Sequence, residues 1–303
     1  MTLNLCMSRF GLACASLLTG WLVLAGTAMA GGETLPKEIK VNNVEFVLVP
    51  EGWFFKTGGV SQGSEETGGN KKIWLDAYYI GKYEARAKDL EPFLNKGNDR
   101  IRALYGGNIE SCSLQLGASG QYVLVPTEAD LPATHLSWTL ADQWARWMGM
   151  RLPTEAEWEK AARGSDQRVY PWGNDPPDET YANFNTSSNC LVWPVNRLSK
   201  GQSPYGALNM AGNVREFVAD WRNSDFDRQL PDGARNPVAP RDGASGKMLK
   251  GGRWASTPET IRISARIVAA PDEPFQCNGT RFALDAAVVR AHLASGNAVV
   301  VTP

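Results

Sequence analysis

The first thirty residues carry one charge, Arg9, then an apolar run from Gly11 to about Ala25, and end in Ala28-Met29-Ala30, the small-x-small form of a signal-peptidase site. The pattern predicts an export signal over residues 1–30, cleaved after Ala30, with Met7 as an alternative start. A lipoprotein needs its cysteine after the apolar run, whereas Cys6 and Cys14 precede or open it. The competing reading is an uncleaved anchor, since the run approaches the lower limit for a membrane span. Beyond a polar lead over residues 31–43, Val44 to Val49 reads as a strand, Pro50-Glu51-Gly52 as a turn and Trp53-Phe54-Phe55 as its partner strand. The β-prone, aromatic run Lys72 to Ile80 reads as a further core strand ending at Gly81.

The period then changes. Trp138, Ala141, Trp144, Ala145 and Met148 recur at three- and four-residue spacing between Ser137, an N-cap, and Gly149, a stop, which predicts an amphipathic helix. Thr154 and Glu157 have capping-box spacing, Trp158, Ala161 and Ala162 give one apolar face, and Gly164 ends that second helix. From Ser165 to about Lys247, proline, glycine and asparagine dominate, so long ordered loops with short strands are expected there. Trp138, Trp144, Trp147 and Trp158 are read as core residues.

Removing the signal leaves 273 residues with 30 basic and 32 acidic side chains, a balance that draws neither nucleic acid nor anionic membrane. No membrane span is expected after cleavage. The two histidines, His135 and His292, cannot assemble a three-histidine zinc or iron centre. No phosphate-binding P-loop, dinucleotide fingerprint or nucleophile elbow occurs either. Cys112, Cys190 and Cys277 remain, and in an oxidising compartment one disulfide with one thiol left over is the simplest arrangement; sequence leaves all three pairings open.

Met150 to Gly164 with Tyr170-Pro171-Trp172-Gly173-Asn174, Tyr205 to Phe217, Lys250-Gly251-Gly252-Arg253-Trp254, Arg266 and Gly279-Thr280-Arg281-Phe282 together resemble the ordered blocks of the formylglycine-generating enzyme (sulfatase-modifying factor) family. Val49 to Gly52 and Tyr79 to Glu84 resemble its opening blocks. The resemblance implies one domain over residues 44–286, with residues 287–303 as a C-terminal tail. It further implies a single α+β, C-type-lectin-like fold of low regular secondary-structure content with calcium holding its loops. The ligands it implies are the side chains of Asn209 and Glu216 with the carbonyls of Gly212 and Val214, an oxygen-rich set suited to this ion. A weaker second calcium site is implied at Asn183 and the Phe184 carbonyl, because Ser187-Ser188-Asn189 stands where the family carries an aspartate.

The copper(I)-binding cysteine pair of the formylglycine-generating members is missing. Ser256 stands at the first thiol position and Ile261 at about the second, and neither replaces a soft thiolate, so no copper and no formylglycine-generating activity are expected. The ergothioneine-type branch needs a histidine-rich iron site and is excluded too. Arg215 and Arg253 replace a tryptophan and a small residue of the family, and with Trp254 they are the candidate ligand-binding groove, suited to an anionic or carbonyl-rich ligand. Ser256 and Glu259 are the candidate catalytic pair, against the reading that Ser256 is a turn residue. Arg266 and Arg281 are read as buried structural arginines, and His135 as a structural hydrogen-bonding residue.

Lacking that cysteine pair, the chain resembles the periplasmic pyoverdine-maturation branch of the family. That resemblance implies a periplasmic siderophore-maturation factor in oxidative tailoring, with a small-molecule or peptide substrate and a partner oxidase. The alternatives are a non-catalytic, calcium-stabilised module that binds a ligand or protein, and an accessory of periplasmic nitrite reductase.

Overall fold

A computed structural model describes residues 34–58, 60–61, 64–65, 70–106, 113–186 and 191–301. The export signal expected at residues 1–30 lies outside the described residues. Everything below belongs to the unit that begins at Leu35.

Two sheets organise this unit. In the first, Val44–Val49 lies between Glu38–Val41 and Tyr78–Gly81, all antiparallel, with Ala298–Val300 and Ala283–Asp285 at the two edges. Strands therefore arise in residues expected as lead and tail, pairing Ile39 with Val300. The second sheet is built on Arg215–Trp221, flanked by Lys247–Lys250 in antiparallel and Asn278–Thr280 in parallel, and it continues through Ala265–Ala269. The seven-residue strand Arg215–Trp221 is the one long regular element inside the region expected to be loops.

Trp53 to Phe55 does not pair with Val44–Val49, as expected from sequence, because both edges of that strand are already occupied. Gly52–Lys56 pairs instead with Lys71–Leu75. The long aromatic run also divides in two: the Asp76 carboxylate accepts from the Trp74 indole at 3.0 Å while its backbone N–H donates to Asn236, which leaves Tyr78–Gly81 free to join the other sheet.

Both expected helices form. Ser137 caps Trp138–Trp147 by accepting from Leu140 N, and Leu140, Ala141, Trp144 and Ala145 are buried in the larger core. Trp147 is 44% exposed and covers Phe93 from outside, which corrects its reading as a core residue. The Thr154–Glu157 capping box is complete at the start of Glu155–Arg163, and Gly164 ends the helix at φ +76°. All nine residues of this helix are buried, charged ones included, so it is enclosed rather than half-solvated.

Its charged face is accommodated by a buried ion network. Arg266 grips the Glu155 carboxylate with two N–H groups, at 2.5 and 2.8 Å, and reaches Asp227 at 2.8 Å; Lys56 sits 2.9 Å from Glu155. Burial alone would raise the Glu155 carboxyl, but the charges of Arg266, Lys56 and Lys250 hold it well below its ordinary value. Arg266→Ala takes the guanidinium from buried Glu155, while Asp227 keeps that of Arg222, and is expected to cost about 3–5 kcal/mol. A urea-midpoint measurement checks this, and a shift below about 1 kcal/mol would contradict the network's role.

Candidate functional site

The loop Asn209–Glu216 meets two other loops at the centre of the chemistry expected from sequence. Asn209, Gly212 and Asn213 adopt left-handed backbone at φ +55°, +79° and +60°. At Gly212 a side chain is impossible for a second reason, since a Cβ would lie 2.2 Å from the Asn183 carbonyl. This close approach lets Asn213 N donate to Asn183 O at 2.8 Å and Gly212 N to Gly251 O at 2.7 Å, while Trp254 N donates to Asn213 O. The segments around 183, 212 and 252 are thereby stitched together.

Glu216 is fully buried and accepts three hydrogen bonds at 2.6 Å, two from Arg281 and one from the Trp158 indole. Arg281 also donates to the carbonyls of Gly81 and Leu208. Beside them lies Glu84, which sequence reasoning did not single out. It accepts from the Asn209 and Asn213 amides at 2.9 Å each. Burial, with the Glu216 charge adding to it, pushes the Glu84 carboxyl up to about 8.

The donor chemistry here fits calcium. Asn209 spends its N–H groups on Glu84 and Val195, so Oδ1, the atom a cation takes, is not used in those bonds. Three hydrogen bonds leave Glu216 one of its roughly four lone-pair positions. Glu216 and Arg281 balance, and the cluster gains a net negative charge as Glu84 ionises toward about pH 8. At the second expected site, Asn183 Oδ1 is buried with no partner, while Phe184 packs beside Tyr170, Ala182 and Ile261. Ser187 to Asn189 lie outside the described residues.

Arg215 and Arg253 are brought together by Cys277. Its carbonyl accepts from Arg215 N at 2.9 Å, and its Sγ accepts from Arg253 Nη1 at 2.8 Å. Burial and then the Arg253 charge lower the pKa of Arg215, whose Nε is buried without a partner. Among the described residues neither guanidinium pairs with a carboxylate. Trp254 is buried against Val192, Val214 and Cys277, so it forms the floor beneath the arginines rather than a wall of the groove.

Ser256 and Glu259 are not brought together. Ser256 is buried, with its Oγ accepting from Arg253 N at 3.0 Å, which closes a turn. Glu259 points to solvent, where the Thr257 hydroxyl holds its carboxyl below the ordinary value. The turn reading of Ser256 therefore stands, and the expected acid–base pair has no geometric support. Ile261 is fully buried with Tyr170 and Ala211, so an apolar contact fills the second thiol position. Cys277 is a free, buried thiol, and burial raises it despite the opposing arginines; Cys112 and Cys190 lie outside the described residues. His135 is structural, with Nδ1 2.9 Å from the Thr134 hydroxyl.

Two sheets, few helices and a loop-built polar centre define a protein of the C-type-lectin-like, formylglycine-generating-enzyme fold. The chain belongs to the sulfatase-modifying factor enzyme 1-like domain family, whose profile matches residues 32–286. It is 36% identical over 175 residues to the formylglycine-generating enzyme of Thermomonospora curvata, covering 51% of this chain and 55% of that one. It is 32% identical over 226 residues to serine/threonine-protein kinase pkn1 of Chlamydia pneumoniae, covering 73% of this chain and 35% of that one. The chain thus spans between about a third and about half of these relatives. PvdO from Pseudomonas aeruginosa shares the fold at a TM-score of 0.60 and 21% identity, over 84% of this chain and 100% of that structure.

Glu84 generates a pH prediction. Its folded pKa stands above the unfolded value, so its protonated form favours folding below about pH 4.5, and that contribution is lost as pH rises toward about 8. In calcium-free buffer the Glu84→Gln variant is expected to gain a few kcal/mol on wild type across this window. Urea midpoints at several pH values check it, and parallel curves for the two proteins would refute it.

Proposed function

We propose that the protein is a periplasmic maturation factor of siderophore biosynthesis, serving oxidative tailoring of the pyoverdine chromophore and holding a small-molecule or peptide substrate beside Arg215 and Arg253. The observation that carries this reading is the meeting at Cys277 of the Arg253 guanidinium, on its Sγ, and the Arg215 backbone, on its carbonyl, with neither arginine paired to a carboxylate among the described residues and with Ser256 and Ile261 nearby in place of thiols. Guanidiniums without an internal carboxylate suit an anionic substrate. Family membership and the likeness in fold to PvdO support the branch, and the Arg9, apolar-run and Ala28-Met29-Ala30 pattern supports export. With no thiolate pair on the floor, electrons leave the substrate through a partner oxidase.

Calcium belongs to the same proposal, as a structural ion held by Asn209, Glu216 and the carbonyls of Gly212 and Val214, tying the loop that carries Arg215 to the core. A second reading, a non-catalytic binding module, draws on the outward position of Glu259 and the turn role of Ser256.

Deletion of the gene is expected to abolish pigment fluorescence. Ser256→Ala and Glu259→Ala should restore it fully, and an Arg215→Glu/Arg253→Glu double variant should not. An unchanged pigment in the deletion strain would sink the siderophore role. For the ion, wild type is expected to melt several degrees higher in calcium than in EDTA, while Asn209→Ala melts alike in both; equal calcium responses would refute the assignment.

A further inference from the structure

We propose that Arg215, Arg253 and Phe275 form a receptor for a carboxylate carried on an aromatic ring, and that Cys277 is its positioning residue. This rests on the preceding reading only for where the substrate binds, and it adds the substrate's chemical class.

Three observations carry it. First, both arginines are half-buried and neither meets a carboxylate among the described residues; the Arg215 backbone N–H donates to the Cys277 carbonyl, the Arg253 guanidinium donates to Cys277 Sγ, and the Arg253 charge acts on the Arg215 guanidinium. Two guanidiniums held close together repel, and a shared oxyanion removes that repulsion by accepting from both. Second, the Arg215 Nε is buried with no hydrogen-bond partner, a donor kept from water and left for an incoming acceptor. Third, the Arg253 guanidinium lies 5.9 Å from the centre of the Phe275 ring, which is 44% exposed, and 6.0 Å from that of Trp254, which is buried. One aromatic face is thus committed to the core and the other is presented next to the cation. A ligand ring can lie against Phe275 while its carboxylate reaches the two arginines. Cys277 supplies neither charge nor contact surface. By accepting one Arg253 N–H it fixes the direction of that guanidinium, and any small acceptor at this place would do the same.

The test is isothermal titration of the purified protein with benzoate, its neutral isostere benzamide, and acetate. Benzoate is expected to bind at least tenfold more tightly than either of the others. Arg215→Gln and Arg253→Gln should each lower benzoate affinity at least tenfold. Phe275→Ala, at an exposed position where folding is not at stake, should reduce benzoate to the level of acetate. Cys277→Ala should weaken benzoate severalfold, with recovery in Cys277→Ser, whose hydroxyl also accepts; a merely space-filling cysteine would give no such recovery. Equal binding of benzoate and benzamide, or a Phe275→Ala variant that binds benzoate like wild type, overturns the proposal. If the deletion strain keeps its pigment while benzoate still binds selectively, the siderophore role falls and the receptor stands.

Discussion

The contact on which the rest of the molecule depends is the buried pair of Glu216 and Arg281. Arg281 donates to Glu216 on an inner strand of one sheet, to Gly81 on the other sheet and to Leu208 in the loop between them, while Trp158 closes the carboxylate from the helix. One guanidinium thus joins three separate segments, and the helix is added through the shared carboxylate. A charged pair with both partners at zero exposure has forfeited its hydration, and only complete hydrogen bonding makes that tolerable. Here every segment supplies its share, so a fold with long loops acquires a fixed centre without a large apolar core at that point.

Around this centre the chain has exchanged one kind of chemistry for another. The floor where relatives place thiols is occupied by a serine engaged in its own turn and by an isoleucine packed among aromatic rings. The sulfur that remains nearby, Cys277, is enclosed and serves as an acceptor for Arg253. Positive charge without internal compensation sits where neutral side chains are the rule in the family pattern.

Much of this was legible in the amino-acid order. The Thr154 capping box and the Ser137 cap are local devices, and local chemistry reads directly from neighbouring letters. The ordered motif blocks revealed the fold, and the pairing of Arg215 with Arg253 followed from two departures in those blocks. What stayed hidden depends on contacts between distant positions. Nothing near Trp53 announces that the strand before it has both edges taken. Glu84 lies 125 residues from Asn209, and no periodicity links them. Cys277 looks like a candidate for a disulfide until the fold places a guanidinium 2.8 Å from its sulfur. Ser256 and Glu259 look like partners because three residues separate them, yet a turn aims one inward and the other outward.

The pairing of Ile39 with Val300 has an evolutionary corollary. A unit whose entry and exit run side by side as neighbouring strands can be spliced into a larger polypeptide, or have sequence appended at either end, without stretching any internal connection. The stretch of pkn1 that matches this chain is about a third of that protein. Modular reuse of this kind asks only that one sheet border stay accessible, and it leaves the loop-built interior untouched.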